Sequence, residues 1–225
     1  MTGKELVGEA LALSGALLLA GCASWGMSKA ERYTGKGAVY VAEAKQAVMA
    51  GNLSDARQSL RKALKKGPSA EAHYYLALIA LEEGSDANHD LALAEAGESI
   101  RDLQSAQAFL LRGAMLEQSD PTEAVRCYQV GLKTVTAGHP AGPLLHRNLA
   151  ALLAKRSQYD EALTHMRAYV VGSQSDGVRL SDDDQALWGL LLYNEGREDA
   201  ARTAWAAIKD RQLQREIEEA IGESL

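Results

Sequence analysis

The sequence predicts an all-α chain, an α/α superhelix (solenoid) of antiparallel helix pairs closed by a C-terminal capping helix. Strand-forming runs of Val, Ile and Thr are missing, Ala and Leu recur throughout, and Phe occurs once and Pro 4 times in 225 residues. That composition favours helix over sheet. One pattern also recurs along the chain, in "GNLSDARQSLRKALKKGP", "QSDPTEAVRCYQVGLKTV", "RSQYDEALTHMRAYVV" and "NEGREDAARTAWAAIKD". Each copy has a polar turn, an alanine, a large apolar residue four positions later, and a small or apolar pair at seven and eight. The copies begin at Ala56, Ala124, Ala162 and Ala201, with a fainter one at Ala92, so successive alanines stand 36, 32, 38 and 39 residues apart. A period of that size marks a stacked repeat, and the spacings within each copy place its apolar residues on one helix face.

The N-terminus is read first by length. The weakly polar run from Ala10 to Gly21 has 12 residues, whereas a helix needs about 20 to span a bilayer. A run this short near the start, ended by small residues, has the form of an export signal. Its ending, Leu19-Ala20-Gly21-Cys22, resembles the lipobox of bacterial lipoproteins. The resemblance implies that the Cys22 sulfur takes a diacylglycerol, that the chain is cut before Cys22, and that the new N-terminus is acylated. Residues 1–21 are then a signal peptide and residues 22–36, "CASWGMSKAERYTGK", a flexible tether without apolar periodicity. Ala23 and Ser24 follow the cysteine in place of Asp, which by the same resemblance implies the outer membrane, periplasmic face, as the location.

Residues 37–210 hold the repeats. Each alanine helix aligns as Ala56, Leu60, Ala63, Leu64; Ala92, Ala96, Ser99, Ile100; Ala124, Tyr128, Gly131, Leu132; Ala162, Met166, Tyr169, Val170; and Ala201, Trp205, Ile208, Lys209. A first helix precedes each, carrying Tyr40, Ala44 and Ala47; His73, Leu76, Ala77 and Ala80; Phe109, Gly113 and Leu116; His146, Leu149, Ala150 and Leu153; and Trp188, Gly189 and Leu192. Gly51, Gly84 and Gly196 fall at the turns inside pairs, where a positive φ is cheap for glycine. Asp120-Pro121 with Glu123, and the run Ser181 to Asp184, read as helix starts. Segments 134–143 and 172–180 read as surface loops that lengthen two junctions. Residues 211–225 read as the capping helix, with Leu213, Ile217 and Ile221 on one face, and a tail.

This arrangement resembles the tetratricopeptide repeat, a helix-turn-helix unit with a large residue, a small residue four later, a turn glycine, then Ala, an aromatic and Ala. The resemblance implies a non-enzymatic protein-binding scaffold whose first helices line a concave surface. Transferred residue by residue, its inward positions are Lys45, Tyr74, Glu117, Arg147 and Tyr193, of which Tyr and Arg are typical interface anchors. The Lys and Asn pattern that clamps chaperone C-termini is absent.

The chain carries a net charge of −6, which reads as offering no basic stripe for nucleic acid or anionic lipid and leaves the lipid on Cys22 as its membrane contact. With Cys22 thioether-linked, Cys127 has no partner and reads as a buried, inert thiol. The Gly-Lys steps at Gly3 and Gly35 lack the spacing of a phosphate loop. The five histidines show no metal spacing in sequence, and no serine has a nucleophile-elbow context. No catalytic residue, metal, cofactor or small-molecule substrate is expected. The expected function is a lipid-anchored periplasmic scaffold that assists assembly of an envelope complex in pilotin fashion, as in type IV pilus or secretin biogenesis. The alternatives are an adaptor for peptidoglycan-modifying enzymes and, from another class, an enzyme with an unrecognised site in the groove.

Overall fold

The computed structural model describes residues 35–136 and 138–222, with Asp86 described by its backbone alone. The signal segment, Cys22, the tether through residue 34 and the tail from residue 223 lie outside the described residues. Among the described residues every regular element is a helix: α1 (Ala38–Met49), α2 (Leu53–Leu64), α3 (Ala70–Glu83), α4 (Asp86–Asp102), α5 (Ala106–Leu116), α6 (Pro121–Thr134), α7 (Ala141–Lys155), α8 (Tyr159–Ser175), α9 (Asp182–Asn194), α10 (Glu198–Ala206) and α11 (Arg211–Ile221). Short turns join them into five pairs, α1/α2 to α9/α10, so the two members of a pair run antiparallel. The fold is the all-α repeat class that the alanine period predicts. The described chain divides into two compact units, residues 35–142 and residues 143–222.

Close approach of two helices explains the period. The repeat alanines Ala56, Ala92, Ala124, Ala162 and Ala201 are all 0% exposed, because a methyl group is what the neighbouring helix leaves room for. On the first helices the constraint is tighter still in two pairs. A Cβ on Gly113 would stand 2.4 Å from the Tyr128 ring, and one on Gly189 would stand 2.2 Å from the Trp205 indole nitrogen. The large residue of the second helix therefore lies across the bare backbone of the first. Its polar end is also satisfied: Tyr128 donates to Glu117 Oε1 at 2.6 Å, and Trp205 donates to the Ala186 carbonyl at 3.1 Å.

In the unit 35–142 these contacts join Val41 and Ala44 of α1, Leu60 and Ala63 of α2, Tyr74, Tyr75 and Ile79 of α3, Ala96 of α4 and Leu111 of α5 into one core. The weak second copy keeps its place by a hydrogen bond. Ser99, 0% exposed, donates to the Ala70 carbonyl at 2.8 Å and ties α4 to the start of α3. In the unit 143–222 the large side chains that are fully buried include Leu145, Leu149 and Leu153 of α7, Met166 of α8, Leu191 and Leu192 of α9, Trp205 of α10 and Ile217 of α11. Asp182 accepts from the backbone N–H groups of Lys209 and Asp210 at 3.0 and 2.8 Å, fixing the turn from which α11 departs.

The predicted helix starts hold. Asp120 accepts from the Glu123 N–H ahead of Pro121, and Ser181 forms a reciprocal capping box with Asp184. The turn glycines Gly51, Gly84 and Gly196 have φ of 77°, 66° and 81°. In the fourth pair the position of Gly51 and Gly196, five before the repeat alanine, is taken by Ser157 at φ 58°, the one non-glycine residue with positive φ among the described residues. Three boundaries differ from the sequence reading. The segment 134–143 is not a surface loop throughout, since Thr134 closes α6, 141–143 open α7, and His139 and Ala141 are buried. The segment 172–180 is not a loop throughout, since α8 continues to Ser175 and carries 172–175 as helix. The fifth alanine helix ends at Ala206, so Ile208 is buried from the turn beyond it and Lys209 faces solvent.

Two glycines inside helices should respond oppositely to alanine. At Gly97 the new methyl meets only the far end of the Arg112 side chain, and the gain in helix propensity should stabilise by up to about 1 kcal/mol. At Gly189 it meets the Trp205 ring, and Gly189→Ala should cost about 1–3 kcal/mol through overpacking. Urea denaturation of the two variants reads the sign. Ser157→Gly removes a left-handed strain of about 1–2 kcal/mol and adds back part of it as chain entropy, so it should stabilise by about 0.5–1 kcal/mol in the same assay.

Candidate protein-binding face

The first helices α1, α3, α5, α7 and α9 supply the candidate residues, and the two units are described separately. In the unit 35–142, α1 places the Lys45 ammonium 2.9 Å from Glu71 Oε1 of α3 and 5.6 Å from the centroid of the Tyr75 ring. Glu71 is only 3% exposed, so its carboxylate has a partner instead of water, as a buried charge requires. Lys45 keeps a third of its side chain exposed and is held in a fixed position. Tyr74 is a correction. It is 1% exposed, packed edge-on to Tyr75 with ring centroids 5.6 Å apart, and offers a partner no surface. α3 packs against α1, α2 and α4, which covers nearly its whole circumference and leaves it no free stripe at Tyr74. Glu117, at the end of α5, is half-buried beneath the Tyr128 hydroxyl.

In the unit 143–222 the centre is an acid that the sequence reading treated only as part of a helix start. Asp184 is 4% exposed. Its carboxylate accepts from Arg147 Nε at 2.5 Å, from the Tyr169 hydroxyl at 2.8 Å and from the Ser181 N–H at 3.4 Å. Burial pushes the Tyr169 phenol up to about 12, with the neighbouring Asp184 charge acting in the same direction. Burial works against the charge on Arg147, and the Asp184 carboxylate more than reverses it, so the guanidinium is held charged more firmly than in water. Arg147 also reaches Asn148 Oδ1 at 3.3 Å. It is thus a structural strut as much as a surface cation. Tyr193, half-buried at the end of α9, lies on the Trp205 ring with centroids 5.8 Å apart and planes at 40°.

Lys45, Glu117, Arg147 and Tyr193 are therefore preorganised, each braced by a neighbour, while Tyr74 belongs to the core. A second pair emerges only in three dimensions. His146 of α7 and His165 of α8 meet with their Nδ1 atoms 2.9 Å apart, one donating to the other. Burial holds both imidazoles below the ordinary histidine range; a charge on the His165 ring would add to the penalty on His146, and Glu161 opposes the shift at His165. Cys127 is a free thiol, 3% exposed, that burial pushes up in pKa. Among the described residues no group of three or more His, Cys, Asp or Glu side chains is placed to hold a metal ion, and no helix is long and apolar enough to cross a membrane.

Two measurements follow from these contacts. Because the folded chain resists protonating His146 and His165 more than the unfolded chain does, their contribution to stability is present above the unfolded value of 6.5 and is lost as pH falls below it. Stability measured from pH 7.5 down to pH 5 should decline, at roughly constant ionic strength, and the double variant His146→Gln, His165→Gln should flatten that slope. Arg147→Ala strands a buried carboxylate and should cost about 3 kcal/mol in urea denaturation, at the low end for a broken buried pair because Tyr169 and Ser181 still serve Asp184.

A family model described as tetratricopeptide repeat matches residues 41–114 and 114–177. No curated protein matches the sequence. Among solved structures, the crystal structure of MamA aligns with a TM-score of 0.57 at 14% identity, over 80% of this chain and 94% of that one. The Cut9–Hcn1 hetero-tetramer of the APC/C aligns with a TM-score of 0.61 at 15% identity, over 82% of this chain and 36% of that one. TTC0263, a thermophilic tetratricopeptide protein in Thermus thermophilus, aligns with a TM-score of 0.51 at 17% identity, over 82% of this chain and 98% of that one. At such identities the structural likeness shows the shared fold alone, whereas the family matches run across four of the five helix pairs. With the buried repeat alanines and the left-handed turns inside the pairs, they make this chain a member of the tetratricopeptide repeat family.

Proposed function

We propose that the chain is a lipid-anchored periplasmic scaffold that assists assembly of an envelope complex by holding another protein, in the manner of a pilotin. A tetratricopeptide domain is a protein-binding scaffold, and that much rests on the fold. The observation that carries the rest is one of sequence: the lipobox-like Leu19-Ala20-Gly21-Cys22 ends an apolar run and stands just ahead of the first repeat helix at Ala38. The partner contacts first helices, at Lys45 and Glu117 in the unit 35–142 or at Arg147 and Tyr193 in the unit 143–222, where each side chain is braced and needs little ordering on binding. Preorganisation of that kind lowers the entropic cost of association. Ala23 and Ser24 after the cysteine support the outer membrane as destination.

Metabolic labelling with a fatty-acid analogue should mark the wild-type protein and leave Cys22→Ser unlabelled, with the labelled protein sedimenting with outer membranes. Label retained by Cys22→Ser overturns the anchor. Cells lacking the protein should accumulate unassembled ring subunits of the envelope complex; intact rings beside altered cell-wall hydrolysis would transfer the role to a peptidoglycan-enzyme adaptor.

A further inference from the structure

The overall acidic balance hides a local reversal. The face of α2 that carries Ala56, Leu60 and Ala63 is buried, so Arg61, Lys62, Lys65 and Lys66 emerge together on the solvent side of its last turn and the residues beyond, all exposed. A fifth cation joins them from a different segment. Gly37 sits directly on the end of α2, close enough that a Cβ there would come within 2.7 Å of the Ala63 carbonyl oxygen. That contact sets the exposed Lys36 beside the same helix end. Several cations elsewhere are matched to carboxylates across helices, as in Arg57 with Glu83, Arg147 with Asp184 and Arg167 with Glu195. None of these five cations is in an ion pair with a described residue.

Stabilisation of a helix C-terminus by cations accounts for Arg61 and Lys62, which lie in the last turn of α2, since that effect fades within one turn. It extends to Lys65 at the C-cap, but it requires neither Lys66 beyond the helix nor Lys36 brought in from a separate segment. We infer that the C-terminal end of α2, with Lys36, is a docking surface for anionic phospholipid headgroups that lays this end of the repeat domain against the bilayer. The surface rests on the anchor reading for its placement. From Cys22 to Gly35 the chain can reach at most about 45 Å, and the described chain enters the domain within two residues of the cluster. Attraction to a charged bilayer decays within a Debye length of about 8 Å, so a tether that brings this end close is what makes five cations effective. A bilayer fits better than a nucleic acid, because none of the five described residues of the cluster is an aromatic on which a base could stack, and the chain as a whole is acidic at −6.

The test uses the full chain carrying Cys22→Ser, so that no acyl group contributes, and measures co-sedimentation with vesicles of phosphatidylcholine alone and of phosphatidylcholine with phosphatidylglycerol at about three to one. Binding to the neutral vesicles registers any apolar contribution; the increment on the anionic ones reports the cluster. The variant Lys62→Gln, Lys65→Gln, Lys66→Gln, at exposed positions and with unchanged melting, should lose about 100-fold of that increment, on the order of fivefold per cation. A control with the same charge change elsewhere, Lys133→Gln, Lys155→Gln, Arg156→Gln, should stay within about threefold if the cluster, and not the net charge of the chain, carries the attraction. Equal binding to the two vesicle types, or equal losses in the two triple variants, overturns the inference. Tighter binding to a single-stranded oligonucleotide than to the anionic vesicles, lost in the cluster variant, also overturns it. Anchor and surface fail separately: an unlabelled Cys22 with a persistent anionic increment removes the anchor alone, and a labelled Cys22 with no increment removes the surface alone.

Discussion

Everything in this molecule depends on how closely two antiparallel helices can approach. Where a second helix lays Tyr128 or Trp205 across Gly113 or Gly189, the first helix presents backbone with no side chain between. The repeat alanines, all 0% exposed, do the same with a single methyl. Such packing is demanding because interiors have little free volume, and a methyl group added at the crossing cannot be absorbed by a small shift. It also determines what may vary. The second copy has Ala96 where the other copies place a large residue at the crossing, and it holds with Ser99, which is small and spends its hydroxyl on the Ala70 carbonyl.

The close-packed frame is also what gives the surface its chemistry. Helices locked at fixed separation bring Lys45 to Glu71 and Arg147 to Asp184, pairs that lie 26 and 37 residues apart in sequence. Buried carboxylates of this kind are costly without partners, so the pairs specify register as much as they add stability. The consequence for binding is that the candidate anchors are held and their removal is felt in the fold. Arg147 illustrates the overlap, since the atom that would meet a partner belongs to a side chain that already neutralises Asp184. At the opposite extreme, the cations at the end of α2 are exposed, unmatched and mutually repulsive, an arrangement that serves a ligand better than it serves the domain.

The sequence by itself determined the class of fold, the number of helix pairs and most of the turns, because those depend on periodicity and local backbone preference. Alanines at intervals of 32 to 39 residues, glycines at the turns, and Asp120 and Ser181 ahead of helices are local signals, and each has the conformation it announces. The basic run Arg61-Lys62 with Lys65-Lys66 was equally visible, and was hidden only by averaging charge over the whole chain. Tertiary structure alone decided which face of each helix remains free. Tyr74 occupies an inward position by family register, yet α1, α2 and α4 close over α3 and bury it, and no one-dimensional pattern records how many neighbours a helix has. The meeting of His146 with His165, the hub at Asp184, and the arrival of Lys36 beside α2 are decided in the same way. They join residues on different helices or turns, whose separation in space is set by side-chain volume at the crossings and not by spacing along the chain.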